Sequence, residues 1–202
     1  MGISFTSFNR IYEMKRFLIL VLFAISAHAQ NSIYVDQVGN NNQIMIDQSQ
    51  AYNGTATISI GSVSGSDSNA VNITQDGVGV MSSTVQINSG INNSITTNQV
   101  GVGTMIATVQ NLNGSANSIS ISQSGAANNT FNVINGAGTT NNANTVTATQ
   151  SGNAGADKSF NLTLNSTNGA NVTVQQTNPT QANSGSMTIQ CTTCGSYSYI
   201  RN

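Results

Sequence analysis

From residue 31 onward, apolar and polar residues alternate in short runs. In Asn31-Ser32-Ile33-Tyr34-Val35-Asp36-Gln37, positions 31, 33, 35 and 37 share one face. In Asn42-Gln43-Ile44-Met45-Ile46-Asp47-Gln48, positions 42, 44, 46 and 48 do so, which turns Gln37 and Gln48 inward and Gln43 outward. A period of two is that of a β-strand with one buried face. The same phase puts Val71, Ile73, Ile95, Thr97, Ile119, Ile121, Val146 and Ala148 on the inner face. No segment in this part of the chain carries a helical period, so the expectation is all-β.

The strands recur in a repeat. Gln-x-Gly appears at Gln37 and Gly39, Gln75 and Gly77, Gln99 and Gly101, Gln123 and Gly125, and Gln150 and Gly152. The later spacings are 24, 24 and 27 residues, while the first, 38, leaves room for an irregular unit. An Asn stands six residues before each Gln, at Asn31, Asn69, Asn93, Asn117 and Asn144. Eleven residues after the first three stand Gln48, Gln86 and Gln110. Each unit reads as strand, tight turn at the glycine, strand and second turn, with the glycine supplying turn angles closed to other residues. Asn-Gly pairs at 53–54, 113–114, 135–136 and 168–169 punctuate the links.

A two-strand unit cannot bury its own inner face. Stacking successive units about 4.8 Å apart buries it and pairs each strand with its equivalent in the next. The chain is therefore expected to form a β-solenoid of about six or seven rungs over 30–190. Inner Asn and Gln side chains then lie over one another and exchange amide hydrogen bonds, which avoids the roughly 1–3 kcal/mol cost of an unpaired buried amide. Such ladders pin register, because a one-residue slip turns every inner residue outward.

The pattern Asn-x5-Gln-x-Gly-x2-Asn-x5-Gln resembles the curlin repeat of bacterial curli fibres. Asn31, Gln37, Gly39, Asn42 and Gln48 match it in full. The units from Asn69, Asn93, Asn117 and Asn144 keep its first half; at the second Asn they carry Val80, Thr104, Asn128 and Gly155, and the last two replace the final Gln by Ile134 and Asn161. Segment 53–68 reads as a degenerate unit, and 170–190 keeps Gln176 while Asn178-Pro179 replaces the glycine turn. The resemblance implies a secreted chain that passes a dedicated outer-membrane pore, meets a nucleator subunit and polymerises end to end into extracellular amyloid fibres of a biofilm matrix. The family's major subunit usually carries a Gly/Asn-rich segment ahead of its repeats, and its minor, nucleating subunit tends to be basic near its end. Here the repeats start close to the leader and Arg201 is the lone basic residue near 202. The reading favours the fibre subunit, with the nucleator as the alternative.

Composition narrows the chemistry. Charged residues are 5% of the 202 and the net charge is −1, against roughly 25% charged in an average domain. A basic nucleic-acid footprint is missing, and so is the charged surface that keeps an ordinary enzyme soluble. At the front, Lys15-Arg16, the apolar run 17–25 and Ala27-His28-Ala29 form a secretory signal peptide over 14–29, cut after Ala29, with 1–13 an upstream extension. The run is too short for the roughly 20 residues of a spanning helix, so the mature chain is expected to be exported and not membrane-embedded. Cleavage removes His28 and Glu13 and leaves Lys158 and Arg201 against Asp36, Asp47, Asp67, Asp76 and Asp157. A Ser-His-Asp triad or a histidine metal site then cannot be built, and neither cofactor nor catalytic residue is expected. Cys191 and Cys194 form either a local disulfide or an intermolecular link in an exported chain. Tyr197 and Tyr199 alternate and could form a last edge strand. Thr145, Thr147 and Thr149 form a short outward array that makes a monomeric ice-binding or adhesive solenoid the runner-up; mixed outward residues elsewhere, such as Tyr34, Asn72 and Thr96, count against it. The strict alternation argues against a disordered stalk.

Overall fold

The computed structural model describes residues 30–36, 42–61, 68–87, 91–110, 114–135 and 140–202. The leader and extension at 1–29, together with Gln37 and Gly39, lie outside the described residues. All regular structure among the described residues is β. The strands are β1 (Gln30–Asp36), β2 (Gln43–Ser59), β3 (Ala70–Gln86), β4 (Ser94–Gly101), β5 (Met105–Gln110), β6 (Ser118–Gly125), β7 (Asn129–Asn135), β8 (Thr145–Gly152), β9 (Lys158–Asn165), β10 (Asn171–Gln176), β11 (Asn183–Gln190) and β12 (Ser196–Arg201).

These strands stack as a β-solenoid of about six turns. Each turn has two sides. One, the amide side, stacks residues 43–48 of β2, the first half of β3, then β4, β6, β8, β10 and β12; the other, the apolar side, stacks β1, the second halves of β2 and β3, then β5, β7, β9 and β11. Strands pair in parallel and in register, as in Ile95↔Ile119, Ile119↔Val146 and Val146↔Val172. The core lies between the two sides and includes Val71, Ile73, Ile95, Ile119, Ile121, Val146 and Ala148 from one, with Ile58, Val85, Val109, Phe131, Phe160 and Leu162 from the other. Thr97, also expected inward, is buried and meets Ser83 across the core at 2.9 Å between hydroxyl oxygens.

Where repeat and hydrophobic phase conflict, the hydrophobic phase wins. The motif places the first unit at 31–48. Instead Asn42–Gln48 stacks on Asn69–Gln75, and Asn53–Ser59 on Val80–Gln86, so the first full turn starts at Asn42. The Gln48-to-Gln75 spacing of 27 then equals the 27 between Gln123 and Gln150, and the irregular 38 disappears. The strand holding Asn31 moves to the apolar side, where the Ile60 N–H donates to the Asp36 carbonyl at 3.1 Å. Asn53-Gly54 is consequently strand and not a link.

Gln86 and Gln110 are corrected likewise. They stand on the outer, half-buried face, because Met81, Val85 and Ile87 in one turn and Met105, Ala107 and Val109 in the next take the buried positions. In the fifth unit the second-Asn position falls to Asp157 rather than Gly155, and the final-Gln position to Thr163 rather than Asn161. The cause is a longer corner after Gly152, where Gly155 adopts φ +83°. The stack does not stop at 190: β12 pairs with β10 from Asn171↔Ser196 to Gln176↔Arg201, so residues 191–202 belong to it. Ile33 and Val35, expected inward, are 54% and 44% exposed because β1 is the outermost strand of its side among the described residues.

Candidate assembly site

Two ladders of buried amides run along the amide side. Asn42, Asn69, Asn93, Asn117 and Asn144 stand just ahead of their strands, and the side-chain carbonyl of each of the first four accepts two hydrogen bonds from the next turn. Asn42 Oδ1 takes the Asn69 N–H at 3.1 Å and Nδ2 at 3.0 Å; Asn69 Oδ1 does the same for Asn93, Asn93 for Asn117, and Asn117 for Asn144. The series closes at Ala170, whose N–H reaches Asn144 Oδ1 at 2.9 Å.

The second ladder is glutamine. Gln48 Nε2 donates to Gln75 Oε1 at 2.5 Å, Gln75 to Gln99 at 2.7 Å, Gln99 to Gln123 at 3.0 Å, Gln123 to Gln150 at 2.8 Å, and Gln150 to Gln176 at 2.7 Å. Each second amide proton crosses to the other side of the coil: Gln99 Nε2 reaches the Ser82 and Met105 carbonyls, Gln123 the Ile106 carbonyl and Gln150 the Thr130 carbonyl. The ladders point in opposite senses. Asn amides donate toward the N-terminal end of the stack and Gln amides toward the C-terminal end.

Gly77, Gly101, Gly125 and Gly152 follow the Gln ladder at the corner. A Cβ on Gly101 would lie 2.0 Å from the Gly125 carbonyl oxygen, and its φ is +146°. Backbones approach here as no side-chain-bearing residue allows.

Of the expected ladder residues, the structure brings together Asn42, Gln48, Asn69, Gln75, Asn93, Gln99, Asn117, Gln123, Asn144 and Gln150. Asn31 lies on the opposite side. Asn128 is exposed and heads a short surface series: its Oδ1 takes the Thr104 N–H at 3.0 Å, and its own N–H donates to Asp157 at 3.0 Å. Gln176, which the repeat keeps in segment 170–190, completes the Gln ladder six residues after Ala170. Asn141 was missed, since no motif marks it: its Oδ1 takes the Thr167 N–H and hydroxyl at 2.8 and 2.7 Å.

Lys158 is the buried cation. It aligns with Asn129 and Asn183, is 1% exposed, and its Nζ donates to the Ala156 and Gln181 carbonyls at 2.5 and 2.6 Å. Burial pushes its pKa down from 10.5, partly offset by the Asp157 charge. The Cys191–Cys194 pair is a local disulfide with Cα atoms 5.5 Å apart, in the corner between β11 and β12. No group of three or more His, Cys, Asp or Glu that could hold a metal occurs among the described residues, and no helix long and apolar enough to cross a membrane occurs among them.

The ladders stop differently at the two ends. At the N-terminal end, Asn42 Nδ2 and Gln48 Oε1 are buried without a hydrogen-bond partner among the described residues. At the C-terminal end, Ala170 and then Gly195 follow the Asn positions, and Arg201 stands in register beyond Gln176. No protein-family model, curated protein or solved structure matches the chain.

Proposed function

We propose that this chain is a structural protein, not an enzyme, that polymerises end to end into extracellular fibres of the curli type. The observation that carries the reading is the pair of ladder atoms at the N-terminal end, Asn42 Nδ2 and Gln48 Oε1, which are buried with no hydrogen-bond partner among the described residues. A buried amide left unpaired costs roughly 1–3 kcal/mol, and another rung of the same geometry relieves it. Natural sheets blunt free edges with charge, Pro or a cap; here the edge of residues 43–48 carries one charge, the outward Asp47. Non-identical surfaces that meet without ring closure give filaments. Export through the leader, passage of a dedicated pore, nucleation by a partner subunit and adhesion within a biofilm belong to the same reading, and the curlin-like repeat supports them.

The test is direct. Residues 30–202, purified unfolded, should convert to fibres with a meridional reflection at about 4.7–4.8 Å. A persistent monomer at high concentration would sink the proposal.

One observation favours a second reading. Thr96, Ser120, Thr147, Thr173 and Ser198 lie in register as an unbroken hydroxyl column on the outer face of the amide side. A monomeric solenoid could present that array to ice or to an adhesive target. Thermal hysteresis from a stable monomer would establish it.

A further inference from the structure

Among the described residues, the first and last strands lie on opposite sides of the coil. β1, the first strand, belongs to the apolar side, whereas β12, the last, belongs to the amide side. Each end of the stack is therefore a half-turn step. The Asp36 carbonyl accepts from Ile60 as the Ser59 carbonyl accepts from Ile87, which aligns Asp36 with Ser59. Ile33 and Val35 then head the inward columns that continue through Ala56 and Ile58, and they are the members left 54% and 44% exposed. At the other end Tyr197 and Tyr199 continue the columns of Val172 and Val174 and are half-buried, with no strand beyond them among the described residues.

We infer that copies join head to tail by interlocking these steps: β12 of one copy pairs with residues 43–48 of the next, and β1 of that next copy pairs with β11 of the first. This inference rests on the fibre reading and adds the polarity, register and contacts of the joint. In the joint, Ile33 and Val35 close over Tyr197 and Tyr199 and complete a full turn of core. Ser196 occupies the register position of Gln43, so its N–H donates to the Asn42 carbonyl of the next copy, as the Asn171 N–H donates to the Gly195 carbonyl within one chain. Arg201 falls on Gln48. Its guanidinium has donors only, and Gln48 Oε1 is the acceptor without a partner among the described residues. Charge agrees in sign, with Asp36 and Asp47 on one step and Arg201 on the other.

The register supplies a cross-linking test. Met45 and Ser198 are both exposed and outward, and stand at equivalent positions of what would be consecutive turns across the joint. Within one chain they are six rungs apart, about 29 Å at 4.8 Å per rung. Fibres of the double variant Met45→Cys, Ser198→Cys, treated with a short bis-maleimide and then denatured, should give a covalent ladder of dimers and higher multimers on electrophoresis. Fibres of either single variant should give monomer. Fibres of the double variant that yield no ladder, or dimers from a single variant, would overturn the joint while leaving the fibre reading intact; absence of fibres in the unmodified chain would overturn both. As a second measurement, Ile33→Asp with Val35→Asp should lower the urea midpoint of the soluble chain only modestly, since both side chains are already about half exposed there. Fibre elongation should slow on the order of tenfold or more, the factor that about 1.4 kcal/mol of lost contact gives. Unchanged elongation would count against the joint.

Discussion

The two sides of the coil solve the same stacking problem with different chemistry. On the amide side the end positions of each strand repeat without change, Asn before it and Gln near its close, from Asn42 and Gln48 to Asn144 and Gln150. On the apolar side one inward column reads Ala56, Ser83, Ala107, Phe131, Phe160 and Gly185. Identity is required where each residue is its neighbour's hydrogen-bond partner. Only volume is required where residues fill space, and volume can be traded between turns. Phe131 and Phe160 stack at 5.6 Å, and the place a side chain on Gly185 would occupy is taken by Tyr199, whose ring lies 4.8 Å from that of Phe160. Register is thus set on one side and bulk on the other.

Breaking the bulk should have the largest effect. Phe160 is fully buried, and Phe160→Ala should lower the stability of the soluble chain by about 3–5 kcal/mol, read from its urea midpoint. If register belongs to the amide side, the variant still pairs Gln150 with Gln176, and hydrogen exchange should show protection lost around β7, β9 and β12 but kept on β6 and β8. Loss of protection on both sides alike would dissolve the distinction.

Breaking the register side comes next. Gln99→Leu strands the Gln75 Nε2 donor and the Gln123 Oε1 acceptor, at roughly 1–3 kcal/mol for each group. The expected signature is a lower urea midpoint together with loss of protection on β4 and β6, with the apolar strands less affected. A midpoint equal to that of the unmodified chain would show that the ladder contributes nothing beyond its surroundings.

The amide side was the legible one. Asn69, Asn93, Asn117 and Asn144 each stand six residues ahead of their glutamine, so hydrogen-bond identity is printed in the sequence. The apolar side has no such identity. A motif match at Gln86 and Gln110 was outvoted there by the parity of Met81, Val85, Met105 and Val109, and an apolar residue carries no mark of which turn it fills. Loop length hid the rest: extra residues around 153–156 displaced the register to Asp157, and the start of the first turn could be seen only once Gln48 was measured against Gln75. The burial of Lys158 had no mark in the sequence, because it depends on carbonyls, those of Ala156 and Gln181, that belong to corners and not to any motif.

That lysine gives a third and smaller effect. Burial holds its folded pKa below 10.5, despite the opposing Asp157 charge. At pH well below the folded value both states carry the proton, and the cost of burying the charge is present in full. Between the folded pKa and 10.5 the unfolded chain binds more protons, so stability rises with pH across that alkaline window and levels off above it. Lys158→Met should remove this rise. A slope identical in the variant would mean that other groups produce it.

The smallest effect tests which face of the apolar side matters. Gln110 and Gln99 are the same residue type eleven positions apart, and the repeat treats both as ladder members. Gln110 is on the outer face of β5, beside Gln86 and Ile134 in the register of neighbouring strands. Its column already accepts an aliphatic residue, because Ile134 occupies the next place at 37% exposure. Gln110→Leu therefore leaves no buried amide behind and should change stability by no more than about 0.5 kcal/mol, as for an ordinary surface substitution. Fibre formation should keep its unmodified rate, while Gln48→Leu, at the open end of the ladder, slows it. Equal slowing by Gln110→Leu and Gln48→Leu would mean that glutamine content, and not the inward ladder, governs assembly.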